Sequence, residues 1–207
     1  MKELRQLIQK GENETLDFKQ EISSASKIAK TIVSFANRKG GRLLIGIRDN
    51  KSIAGVRTED EKYMLTLASD FYCKPPIELV INEWELDGKV VLEAIVPEGP
   101  DKPYYAKDDD GKWWVYVRVK DQSLLASKIV VDVLKREAAQ KDTLIQITSK
   151  EQALLDYLAK NHKITLKQYC KLINISRWRA SKILVTLISA GIIRSHNTEK
   201  IEFYTLS

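Results

Sequence analysis

Apolar positions along the first half of the chain switch repeatedly between helical and alternating spacing. Met1, Leu4, Leu7 and Ile8 recur at helical spacing and Gly11 closes the run, which predicts a helix over 1–10. Residues 15–19 alternate and predict a short strand. Ser23 or Ser24 is placed to cap a helix running to about Arg38, with Ile28, Ile32 and Phe35 on its inner face. Gly40-Gly41 stops that helix, and the apolar run over 42–47 predicts a strand directly after it. Residues 49–51 read as a turn and 52–55 as the returning strand. Thr58 with Glu59, Asp60 and Glu61 makes an acidic helix start, and Pro75-Pro76 closes the helix beyond Tyr72.

Two alternating runs, 78–86 and 89–96, flank Asp87-Gly88, a strong hairpin signal. A second hairpin is expected from 104–107 and 112–120 around Asp108–Gly111. In its return strand Trp113, Val115, Val117 and Val119 share one face, read as core, and Trp114, Tyr116, Arg118 and Lys120 share the other. That second face either packs on a helix with its cations reaching outward or offers aromatic and basic groups to bases. A helix from Ser127 to about Gln140 and a polar stretch over 141–148 follow.

The pattern then changes character. Ser149 is placed to cap a helix with Leu154, Leu155 and Leu158 on one face. A shorter helix covers 166–173, Asn174-Ile175 turns, and Ser176 caps a third helix to Ala190, stopped by Gly191. Ala180, Ile183, Leu184, Leu187 and Ile188 form its apolar stripe, with Arg177, Arg179, Ser181, Lys182 and Thr186 outside it. A hairpin of 192–196 and 201–206 closes the chain around Asn197–Lys200. Three helices and a hairpin over 149–207 resemble the winged helix-turn-helix of transcription regulators. In such modules the third helix enters the major groove by its N-terminal residues, here Arg177, Trp178 and Arg179. Arginine suits that place because its guanidinium binds guanine or phosphate through two donors. Trp178 either packs under the helix or reaches the sugar-phosphate edge. Arg194, His196 and Lys200 lie on the wing, suited to backbone or minor-groove contact.

Composition supports a soluble globular chain, with 43% hydrophobic and 30% charged residues. Charge adds a direction. Residues 1–143 carry 24 Lys+Arg against 24 Asp+Glu, whereas 144–207 carry 10 against 4, so the whole net charge of +6 lies in the last segment. A polyanionic partner is expected there. No apolar run reaches the roughly 18 residues of a membrane span. The N-terminus carries charges where a signal peptide needs an apolar core, so a cytoplasmic location is expected, without membrane contact. Cys73 and Cys170, with His162 and His196, are too few and too scattered for a disulfide framework or a metal site, and no cofactor or metal is expected.

The first part of the chain resembles the Schlafen AlbA-like, divergent AAA-type, DNA-binding domain family. The resemblance rests on Gly11-Glu12 with Leu16-Asp17-Phe18-Lys19, then Ser34-Phe35-Ala36-Asn37, Gly40-Gly41, Leu44-Ile45-Gly46-Ile47, Asp49 and Gly55-Val56, and continues through Lys102–Tyr105 and Tyr116–Val119. It implies an α+β domain over 1–125, of a kind found joined to winged-helix domains; with the pattern read above, the chain divides into that domain, a helix and linker over 126–148, and a smaller winged helix over 149–207. It also implies a role in transcription regulation. The family usually has Glu where this chain has Asp17. Some Schlafen relatives are ribonucleases that use acidic residues of this region, and the matching positions are Glu12, Asp17 and Asp49. Three carboxylates can hold a divalent cation that activates water. They can equally pair with Lys19, Arg42 or Arg48 and fix a turn. The AAA label implies ATP, but the Gly-Gly follows a helix and precedes a strand and lacks the Lys-Ser/Thr of a phosphate-binding loop.

The sequence therefore predicts a two-domain regulator of double-stranded DNA rather than an enzyme. Arg177, Trp178, Arg179, Lys182, Arg194 and Lys200 are the expected contacts in the second domain, and Lys19, Arg38, Lys39 and Arg42 in the first. RNA or single-stranded nucleic acid is a further candidate partner. A homodimer is expected because one winged helix covers only a half-site. The alternatives are a metal-dependent nuclease using Glu12, Asp17 and Asp49, and a protein-interaction adaptor.

Overall fold

The computed structural model describes residues 2–139 and 146–207. Met1 and most of the polar stretch over 141–148 lie outside them. The chain divides into two compact units, 1–125 and 126–207. With seven helices among the described residues and several small sheets, the architecture is α+β.

In the first unit, helix α1 (Lys2–Lys10) leads into strand β1 (Leu16–Lys19), and helix α2 (Ala25–Ala36) crosses to strand β2 (Gly41–Ile45). β2 runs parallel to β1, with Leu16 beside Arg42 and Lys19 beside Ile45. Helix α3 (Thr58–Phe71) and the short strand β3 (Cys73–Lys74) follow, then the hairpin of β4 (Val80–Leu86) and β5 (Lys89–Val96). β5 inserts antiparallel beside β2, giving the order β1-β2-β5-β4.

Alternation along β2 decides what covers each face of this sheet. Leu43 and Ile45 join Leu92, Ala94 and Val96 under α2 and α3, where Ile28, Ile32, Phe35, Leu65 and Ala68 are buried. Leu44 points the other way, to Leu16, Phe18 and Val91, and there Leu4 and Ile8 of α1 close the layer. α2 is buried almost throughout and is capped by the Ser24 side chain, with Asn37 rather than Arg38 at its C-terminal cap.

Beyond β5 the sheets are smaller and depart from expectation. The returning strand expected over 52–55 is a single bridge, Ile53 to Ile47. The strand expected over 112–120 is two strands in different sheets. β7 (Trp113–Trp114) pairs with β6 (Tyr105–Lys107), which also pairs with β3. β8 (Tyr116–Val119) pairs with β9 (Gln122–Leu125), a strand the periodicity does not predict. The chain changes sheets at buried Val115, so the alternation does not run through it. Trp113 is consequently exposed at 38%, not core, and Arg118 is buried at 3%, not reaching solvent.

The second unit begins with α4 (Lys128–Ala138), capped by Ser127, followed by α5 (Ser149–Asn161), α6 (Leu166–Leu172), α7 (Arg177–Ser189) and the hairpin β10 (Ile193–Asn197) and β11 (Glu202–Leu206). Thr148, not Ser149, caps α5, through a capping box with Glu151. Thr165 and Gln168 repeat the device at α6. Leu154, Leu158, Tyr169, Ala180, Leu184, Leu187 and Tyr204 form the core, and Ile129 and Val133 tie α4 into it. Ile164 bridges Tyr204, extending the hairpin.

Candidate nucleic-acid interface

α7 owes its placement to its apolar face. Ala180, Leu184 and Leu187 are buried, which turns the start of the helix outward. The Ser176 hydroxyl accepts from the Arg179 amide at 3.3 Å and caps that start. Arg177, Trp178 and Arg179 are exposed in the first turn, Trp178 at 60%. Of the two placements open to Trp178, the outward one is observed. Its ring carries the Lys182 ammonium 3.9 Å from the centroid, one turn later. On the hairpin Arg194 and Lys200 are exposed. His196, also exposed, stacks on Phe203 at 4.9 Å and meets the Thr205 hydroxyl at 3.0 Å. The structure thus gathers the α7 cations at one helix start and puts Arg194 and Lys200 on the hairpin.

The first unit sorts its candidates differently. Asp17 is buried, and its two oxygens are both engaged. Oδ1 accepts from Arg118 Nη2 at 2.8 Å and Oδ2 from Lys19 Nζ at 2.5 Å. Arg118 Nη2 donates also to the Leu16 carbonyl, while Nε donates to the Asn13 carbonyl and Nη1 to the Ser123 hydroxyl, and the guanidinium lies 5.0 Å from the Phe35 centroid. Lys19 donates also to the Phe18 carbonyl at 2.8 Å. Its ammonium is therefore tied to the chain it sits on.

Glu12 is exposed as a residue, but its carboxylate lies part-buried against the backbone, where Oε1 accepts from the Phe18 amide at 2.8 Å. Burial raises its pKa, helped by the Asp17 charge, against the opposing effects of the Phe18 amide and Lys19. Asp49 is exposed. Among the described residues no three His, Cys, Asp or Glu side chains converge as a metal would need. Asp49 therefore does not complete a trio with Glu12 and Asp17.

The Gly-Gly junction is shaped by close approach. Gly40 has φ +71°, and a Cβ there would fall 2.6 Å from the Val96 carbonyl oxygen. A Cβ on Gly41 would meet the Phe35 ring at 2.5 Å. A concavity of about 470 Å³ opens beside the pair, and Lys10, Lys39, Arg42 and Glu98 are among the residues lining it. Arg42 is bonded to buried Glu93 at 3.2 Å and to Glu3 at 3.4 Å, whereas Arg38 and Lys39 are exposed.

Two residues of this region have roles that periodicity does not reveal. Asn37, at 1% exposure, donates to the carbonyls of Tyr104 and Tyr116 at 2.9 Å each, and its Oδ1 accepts from the Tyr104 amide at 2.8 Å. It pins two later segments to the end of α2. Arg118 is the other. A lone cation between Val117 and Val119, with an acid inside the first strand, is the one signal that could have paired it with Asp17.

The profile of the Schlafen, AlbA_2 family matches residues 12–127, more than half of the chain. The chain belongs to the Schlafen AlbA_2 family. No curated protein sequence matches it. Among solved structures, the DIP2311 protein of Corynebacterium diphtheriae is similar at 21% identity and TM-score 0.47, over 65% of this chain and 26% of that one. The chain therefore spans about a quarter of that protein. The N-terminal domain of a RecG-related protein of Nitrosomonas europaea, named for an ATP-dependent DNA helicase, is similar at 22% identity and TM-score 0.40, over 59% of this chain and 94% of that domain. No helix among the described residues is long and apolar enough to cross a membrane.

Proposed function

We propose that this protein is a DNA-binding transcription regulator in which 149–207 act as a winged helix and α7 reads the major groove. One observation carries the reading: Arg177, Trp178 and Arg179 stand exposed on the first turn of a helix whose opposite face is core. Charge supports it. Residues 126–207 hold 14 Lys+Arg against 7 Asp+Glu, whereas 1–125 hold 20 against 21. The positive end of the helix dipole at this start is a favourable place for a phosphate. Lys182 extends the basic face along α7, and Arg194 and Lys200 are placed for backbone contact by the wing. The family membership of the first unit is in keeping with a nucleic-acid role. Arg38 and Lys39, exposed beside Gly40-Gly41, are its proposed backbone contacts, while Lys19 and Arg42 are held by acids of their own unit. A homodimer would supply two half-sites.

The test is fluorescence anisotropy of a labelled random duplex against salt concentration. Affinity is expected to fall linearly on logarithmic axes as salt rises. The double substitution Arg177→Ala, Arg179→Ala is expected to weaken binding about a hundredfold or more, as removal of two charge-assisted hydrogen bonds would. Absence of binding at low salt, or a double variant that binds as well as wild type, would remove α7 as the reader and favour a protein-contact role.

A further inference from the structure

Between α4 and α7 of the second unit runs a groove of about 690 Å³. Its walls are Ile129 and Val185, and the exposed Trp178 ring stands at its edge. Four basic side chains line it, Lys128, Arg136, Arg177 and Lys182, against two acids, Asp132 and Glu202. The acids are unequally available. Glu202 accepts from the Ser127 hydroxyl at 3.0 Å, and burial raises its pKa against the opposing effects of the Ser127 bond and Arg177. A volume within about 300–1,000 Å³, apolar walls and a few charged groups are the features of a small-molecule site. The surplus of cations selects an anion, and the Trp178 ring and aliphatic walls select an apolar body.

We infer that this groove binds a small aromatic or aliphatic carboxylate, its carboxylate between Arg177 and Lys182 and its apolar body on Trp178, Ile129 and Val185, and that occupancy withdraws these side chains from DNA. The second half rests on the DNA-reading role proposed for α7. The first half does not, because the groove and its charges belong to the protein alone. The logic of the coupling is competition: Arg177 and Lys182 cannot neutralise a ligand carboxylate and a DNA phosphate at once. A ligand that binds only the DNA-free form shifts the equilibrium by its full affinity for that form. The same residues would then serve as sensor and reader.

The experiment uses the full chain and three probes, 2-naphthoate, decanoate and the neutral 2-naphthylmethanol, first by calorimetry without DNA. At least one carboxylate is expected to bind saturably with one site per chain, and more tightly than the neutral alcohol. Lys182→Ala is expected to weaken it about tenfold, the size of one charge-assisted hydrogen bond. Trp178→Ala, a change at an exposed residue, should weaken both aromatic probes alike, with unfolding curves confirming that both variants fold. Anisotropy of the labelled duplex is then read as the bound carboxylate is added, and the duplex should be released. No saturable binding of either carboxylate at millimolar concentration overturns the site, as does binding that ignores Lys182→Ala or does not distinguish charged from neutral probe. Carboxylate binding that leaves DNA affinity unchanged overturns the competition. A protein that retains no DNA before any probe is added overturns the reader role, while calorimetry still decides the groove.

Discussion

Asp17 and Arg118 show how one residue's role changes once its neighbour is known. In sequence Asp17 stands in an acid-aromatic-lysine motif and invites a catalytic reading. In the fold its side chain is 4% exposed and that of Arg118 2%, so the pair is desolvated and each partner depends on the other. Asp17→Ala is expected to cost about 3–5 kcal/mol in urea unfolding, because it strands a buried guanidinium. Any loss of function in that variant would then report folding, and an unchanged unfolding midpoint would contradict the pairing. Glu12 gives the opposite sign. Its folded pKa lies above its ordinary 4.5, so the contribution of its titration to stability is present below that value and is lost as pH rises through the folded pKa. Glu12→Gln keeps an acceptor for the Phe18 amide and removes the charge. Its stability relative to wild type should therefore rise between about pH 4 and pH 7, read as urea midpoints at both values. A relative stability that falls over this window would mean that the carboxylate is held in its charged form.

At the level of elements, the junction between α2 and β2 illustrates a turn set by tertiary approach. Two glycines after a helix announce a stop in any sequence. Their strictness here comes from elsewhere: the Val96 carbonyl of β5 lies against Gly40, and the Phe35 ring against Gly41. Gly40→Ala combines a left-handed backbone with a backbone clash. It is expected to destabilise by at least about 1–3 kcal/mol, read by thermal unfolding. A variant as stable as wild type would show that β5 yields. The helices were legible for a related reason. Ser24 and Ser176 are local caps whose hydrogen bonds reach three residues along the chain, so sequence proximity is enough to infer them, while at α5 the cap is Thr148, one residue before the Ser149 expected. β7, β8 and β9 were not. Their pairing depends on which partner each two- to four-residue segment meets, and the turn after β8 uses Lys120 at φ +57° in place of the glycine that would have announced it.

Over the whole molecule the distribution of charge is the main guide. A unit of 82 residues with twice as many cations as acids adjoins one that is nearly balanced. If Arg38 and Lys39 touch phosphates, replacing both by alanine should lower the salt slope of DNA binding by about 2, at roughly 0.9 per phosphate contact. Sequence preference should stay unchanged, because such contacts carry no base information. An unaltered slope would confine DNA contact to the second unit.

Local chemistry was readable from the amino-acid order alone: the helices, the Ser24 and Ser176 caps, the β4–β5 hairpin at Asp87-Gly88, the family of the first unit and the asymmetry of charge. Each depends on residues close in sequence or on counts that need no coordinates. Tertiary structure alone decided that Arg118 is the buried partner of Asp17, that Asn37 pins Tyr104 and Tyr116, and that Arg42 is held by Glu93. It alone set α4 beside α7 to form a groove. These partners stand far apart in the chain, so no local pattern could announce them. A charge can be read from its letter, but whether it faces solvent or an opposite charge depends on what the fold brings against it.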